Sequence, residues 1–136
     1  MANEELRTAI VEKIRNETFA FADMRDYFQV VTEVCNEDDK IQKKTAKDNV
    51  SFQFNIEDGD DYWLKVEHGA FSFGVGKMDA PDMVIGMDAR TTTGIFGNTL
   101  SATSAYLNRD MSFKGSASHG LKFRSIFKMV NKILDI

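Results

Sequence analysis

Apolar residues recur every third or fourth position at the front of the chain, every second position in its middle, and every third or fourth again near its end. Leu6, Ile10 and Ile14 stand behind Asn3, with Glu4 and Glu5 at the start. That spacing predicts an amphipathic helix with an asparagine cap and acids where the helix dipole favours them. A second helix is predicted after Asp23, with Met24, Phe28, Val31 and Cys35 on one stripe. From Asp38 to Lys47 the acids come first and the bases last, which suits a short third helix.

The period then changes to two. Val50, Phe52, Phe54 and Ile56 alternate with Ser51, Gln53, Asn55 and Glu57, which predicts a strand with one apolar face. The run 58–61 reads as a turn, and Tyr62 to Glu67 as the returning strand. His68 and Gly69 predict a tight hairpin into a third strand, where Phe71, Phe73 and Val75 share a face. After the loop holding Pro81, Met83, Ile85 and Met87 mark a fourth strand. Helical spacing returns from Thr91, is interrupted at Gly94 and Gly97, and resumes near Ser101 with Ala105 and Tyr106. Met111 to Lys114 is a short fifth strand. A last helix from about Ser118 brings Phe123, Phe127, Val130 and Leu134 to one side. No linker or internal repeat divides the order, so one α+β domain over residues 1–136 is expected, with a helical part at 1–48.

With 136 residues, the chain is long enough to bury one core without staples. A single cysteine, Cys35, excludes an intramolecular disulfide and suits a reducing compartment. The net charge of -4 argues against a nucleic-acid partner. The nearest basic group, Lys40, Lys43, Lys44 and Lys47, is interspersed with acids and reads as a solvated helix face. No secretory leader or membrane-length apolar run is visible, so a cytoplasmic protein with at most transient membrane contact is expected.

The search for reactive groups returns little. Gly69 to Lys77 is glycine-rich, but Val75 follows Gly74 and no hydroxyl residue follows Lys77, so it is not a phosphate loop. Glu57, Asp58, Asp60 and Asp61 are too compressed for a calcium loop. His68 and His119 belong to no metal or nucleophile motif, and Cys35 falls on an apolar stripe. No catalytic residue, metal or cofactor is predicted. The 11 Phe and 7 Met fit core packing or an adaptable apolar pocket.

From Val50 to Leu134, the order of motifs resembles the sterol carrier protein type-two family. The resemblance rests on Phe52 to Ile56, on Trp63 to Val66 after an acidic-glycine turn, and on Ala80 to Met87 with its Pro81-Asp82 opening. It continues through Gly97, Leu100, Thr103 to Leu107, Met111 to Gly115, Leu121 to Phe123, and Ile126-Phe127. The chain departs at Ala102, where proline is frequent in the family, and at Arg109-Asp110, where glycine-lysine is. It departs also by one extra residue near Gly97-Asn98 and at Gly115-Ser116, where glycine-aspartate is usual, and these departures bear on loop geometry and ligand preference rather than on the fold.

The resemblance implies a five-stranded, mostly antiparallel sheet covered on one face by helices, with an apolar tunnel between the layers. It implies a non-catalytic protein that binds an apolar lipid ligand (a sterol, fatty acid, acyl-CoA or phospholipid) and can transfer it. The expected lining is Phe73, Val75, Met83, Ile85 and Met87 on the strands, Phe96, Leu100 and Tyr106 beyond them, and Phe123, Phe127 and Val130 on the last helix. Two other readings remain open: a cone-type α+β isomerase or dehydratase, for which Tyr106 and Asp88 are the nearest acid–base groups, and a ligand-sensing module acting through a protein partner.

Overall fold

The computed structural model describes residues 3–136. Its helices are α1 (Glu4–Arg15), α2 (Met24–Glu37), α3 (Asp39–Thr45), α4 (Ala89–Phe96), α5 (Ala102–Leu107) and α6 (Ala117–Leu134). The strands are β1 (Asn49–Ile56), β2 (Tyr62–Glu67), β3 (Ala70–Val75), β4 (Met83–Met87) and β5 (Met111–Lys114). A 3-10 turn at Phe21–Asp23 leads into α2. Five helix starts are closed by the preceding side chain: Asn3 accepts from Leu6 N, Asp38 from Ile41 N, Asp88 from Thr91 N, Ser101 from Ser104 N and Ser116 from His119 N. Each such cap contributes about 1 kcal/mol by satisfying an otherwise orphaned N–H.

The sheet order is β3-β2-β1-β4-β5. The pairs β1/β2, β2/β3 and β4/β5 are antiparallel, and β4 runs parallel to β1. His68 and Gly69 both adopt positive φ, as a two-residue hairpin of the right twist demands. The register sets Phe52 beside Leu64 and Met83, and Phe54 beside Tyr62 and Ile85. Phe52 and Phe54 thus share one face, and ring contacts with Phe28 and Phe123 show that α2 and α6 cover it.

Because β3 and β4 lie on opposite sides of β1, the chain must cross the sheet between them. It does so over the face away from α6. Gln53 donates to the carbonyls of Gly76 and Tyr62 and accepts from Met78 N, at 3.1, 3.2 and 2.9 Å. Asp82 accepts from Ser51 N at 2.9 Å and donates its own N–H to Ser51 Oγ at 3.0 Å. These bonds bury Gln53 and Ser51, which the alternation assigned to an open polar face. At the β3 border, the Asn36 side-chain amide of α2 donates to the Phe71 carbonyl and accepts from its N–H, at 3.0 and 2.8 Å.

One expectation is corrected. Gly94 does not interrupt the helix: α4 runs through it and ends at the cap Gly97. The missing side chain makes room for Leu100, since a Cβ on Gly94 would stand 2.9 Å from that of Leu100.

Candidate functional site

The helix-covered face of the sheet holds a continuous aromatic layer. Phe54 meets Phe28, Phe96 and Phe123 with ring centroids 5.3, 5.9 and 5.6 Å apart. Phe127 lies 4.5 Å from Phe123, 5.5 Å from Phe96 and 6.5 Å from Tyr27. Tyr27 and Phe28, adjacent on α2, carry the layer to Phe19, Tyr62 and Phe73. Met83, Ile85 and Met87 form its β4 border, and Val130 of α6 is fully buried. The register explains this convergence. Two strands of alternating large apolar residues pair in phase, and α6 presents Phe123, Phe127 and Val130 at helical spacing above them.

The predicted lining is therefore only partly gathered. Met83, Ile85, Met87, Phe96, Phe127 and Val130 are buried together, while Phe73 and Phe123 are partly exposed and packed against the same core. Val75, Leu100 and Tyr106 are 50, 38 and 54 % exposed. Val75 ends the edge strand β3, and α5 buries only Ala105. Two residues outside the expected lining, Tyr27 and Phe28, sit at the centre of the ring contacts. The stripe through Met24, Phe28 and Val31 pointed to Phe28, and Tyr27 shares that helix face one position away.

The groups that could do chemistry lie elsewhere. Among the described residues, the buried polar side chains are Thr45, Ser51, Gln53, Thr91 and Thr92, and none is charged. Asp88 caps α4, and the hydrogen bonds from Thr91 hold its carboxyl below the ordinary carboxylate range, which makes it a weak base. Burial, with a smaller push from Asp38, raises the Cys35 thiol to about 12, so it stays protonated and unreactive near neutral pH. The acidic turn is spent on structure: Asp58 accepts from Ala89 N, and Asp61 accepts from Ile56 N and pairs with Lys77, at 2.7, 2.7 and 2.8 Å. Among the described residues, no group of His, Cys, Asp and Glu is arranged to hold a metal ion.

Two clefts open away from the aromatic layer. One, of about 410 Å³, lies on the opposite sheet face over Val84, Gly86 and Ser112, with Lys77 and Lys114 at its sides. The other, of about 390 Å³, runs along Glu4, Thr8 and Glu12 of α1. No described helix is long and apolar enough to cross a membrane.

The description of the SCP-2 sterol transfer family matches residues 31–128. The match begins within α2, ahead of the motifs at Val50. The solved structures similar to this chain include a double mutant of the Pseudomonas sec-alkylsulfatase PisA1, at TM-score 0.62 and 17% identity over 76% of this chain. This chain spans 16% of that enzyme's length. A crystal structure of sterol carrier protein 2 aligns at TM-score 0.58 and 18% identity, covering 79% of this chain and 92% of the other. The solution structure of palmitated SCP2L2 from Aedes aegypti aligns at TM-score 0.56 and 17% identity, covering 71% and 86%. At such identities the likeness is one of fold. No curated protein sequence matches the chain.

Proposed function

Because the chain belongs to the SCP-2 sterol transfer family, we propose that it binds an apolar lipid between α6 and the inner sheet face and carries it without altering a covalent bond. The observation that carries this reading is the aromatic and aliphatic layer beneath α6, into which no charged side chain is buried among the described residues. A site of this kind binds by desolvation. A sixteen-carbon tail moved out of water gains roughly 0.8 kcal/mol per CH2, or on the order of 10 kcal/mol. Parting a few ring pairs forfeits about 0.5–1.5 kcal/mol each, so uptake by separation of the layers is favourable overall.

In this reading Met83, Ile85, Met87, Phe96, Phe123, Phe127 and Val130 hold the tail. Phe73, Val75, Leu100 and Tyr106 stand at the margins and meet the ligand's wetter end. The ligand class is a fatty acid, acyl thioester, sterol or phospholipid, and the protein works in the cytoplasm. The palmitated relative supports the placement of an acyl chain in a protein of this fold. No carboxylate, imidazole or amine is buried in the layer among the described residues, which favours carriage over catalysis. Native mass spectrometry of freshly purified protein, paired with titration of a fluorescent fatty acid, tests the proposal. Retained lipid and affinity at micromolar level or better, about 8 kcal/mol, are expected. Indifference to fatty acids, acyl-CoA and sterols alike would overturn it.

A further inference from the structure

The charges of this chain are sorted along its length. Residues 1–88 hold 19 of its 21 acids, whereas residues 89–134 hold seven Lys and Arg against one acid, Asp110. Helix α6 contains no acid at all between Ala117 and Leu134. Its exposed Leu121, Arg124, Lys128 and Lys132 recur at helical spacing, on the side turned away from Phe123, Phe127 and Val130. Lys122 is held by Asp48 at 2.9 Å, but Arg124, Lys128, Lys132 and Arg109 form no ion pair with any described residue.

Apolar side chains are also left in water, on α6 itself and on α5. Leu107 is 73 % and Leu121 65 % exposed, with Tyr106 next to Leu107 on α5. Both helices border β5, the strand that separates them in the chain. Helix α5 packs on β5, and the first turn of α6 does the same, with Gly120 so near Phe113 that a Cβ there would touch its ring at 3.3 Å.

We propose that this α5–β5–α6 corner is a docking face for an anionic bilayer surface. Cations beside leucine and tyrosine match both parts of such a surface, since phosphate-bearing headgroups take the charge and the acyl boundary takes the apolar groups. A purely ionic partner would leave Leu107 and Leu121 unused. The overall charge of -4 does not prevent approach, because screening over about 8 Å at physiological salt lets the nearby stripe dominate at contact. The purpose of the surface rests on the lipid-carrier reading, for it brings α6, the cover of the aromatic layer, against a source of lipid.

The test is co-sedimentation with vesicles of phosphatidylcholine, with and without phosphatidylserine. The parent protein is expected to pellet with the anionic vesicles alone and to be released at ~0.5 M salt. An R124Q/K128Q double variant, both sites exposed, should partition about 25-fold more weakly, taking about fivefold for each cation. Leu107→Gln should weaken partition while leaving the salt dependence in place. Equal binding to neutral vesicles, no binding to either, undiminished binding by R124Q/K128Q, or pelleting without vesicles through self-association overturns the proposal. Fatty-acid titration in the absence of vesicles reads cargo binding separately. Its failure would remove the carrier function and leave the docking result standing.

Discussion

Truncating Phe127 to alanine measures whether the aromatic layer is closed when it holds no cargo. The ring is only 8 % exposed and meets Tyr27, Phe96 and Phe123. Removing it forfeits roughly 2 kcal/mol of transfer free energy. If neighbours held in strands and helices cannot follow, a void of about 80–100 Å³ adds roughly 2 kcal/mol at about 24 cal/mol per Å³. The expected cost is therefore about 4 kcal/mol, inside the usual 3–5 kcal/mol range for this truncation. In a domain of this size that lowers Tm by about 12–20 °C. Urea unfolding followed by circular dichroism gives the free energy directly, and an unchanged m-value shows that the comparison is valid. The same variant should bind a fluorescent fatty acid with an altered chain-length preference, because the vacated volume lies in the path of the tail. A loss below about 1 kcal/mol would mean that the ring has no firm partners in solution. The layer would then be an open lumen, and the packing reasoning would be wrong.

Phe54→Asp should cost several kcal/mol by placing an unpaired charge among Phe28, Phe96 and Phe123; melting within a degree or two of the parent would refute the face assignment. Cys35 should resist a thiol reagent in the folded protein and react at once in denaturant; fast labelling of native protein would contradict its burial. Its unfolded thiol ionises near 9 and the folded one near 12, so the unfolded state sheds a proton that the folded state keeps. That contribution to stability is complete below pH 9 and should fall progressively between pH 9 and 12, less steeply in Cys35→Ala. Gly74→Ala drives a Cβ into the Trp63 ring, so it should shift the emission of this sole tryptophan and cost about 1–3 kcal/mol; an unchanged spectrum would show that the ring does not lie there.

The strands were legible because their large apolar residues alternate: Val50, Phe52, Phe54 and Ile56 cannot shift by one position without turning Phe52 and Phe54 away from α2 and α6. The start of α1 was legible from its cap Asn3, whereas α4 begins two residues before the expected Thr91, behind the cap Asp88. The chain crossing above Gln53 was not, since a polar residue facing water and one sealed by a loop look alike in a periodic pattern. Only tertiary hydrogen bonds separate them. The parallel β1–β4 pair was hidden for the same reason, because no turn joins its strands. Of the candidate site, the residues on long elements came together. Leu100 and Tyr106 did not, because a loop and the six-residue helix α5 provide too short a stripe to say which side faces inward. Tyr27 was missed because its neighbour Phe28 already satisfied the pattern.

The contact between Asn36 and Phe71 has a consequence for assembly. An open sheet has two borders, and growth by strand addition needs both, one to receive a copy and one to offer to the next. Here the β3 border is saturated at Phe71 by a side-chain amide that imitates a neighbouring strand. The β5 border is four residues long and carries Lys114, a charge that discourages pairing. A strand approaching the β3 border would have to displace the Asn36 amide before it could pair at Phe71.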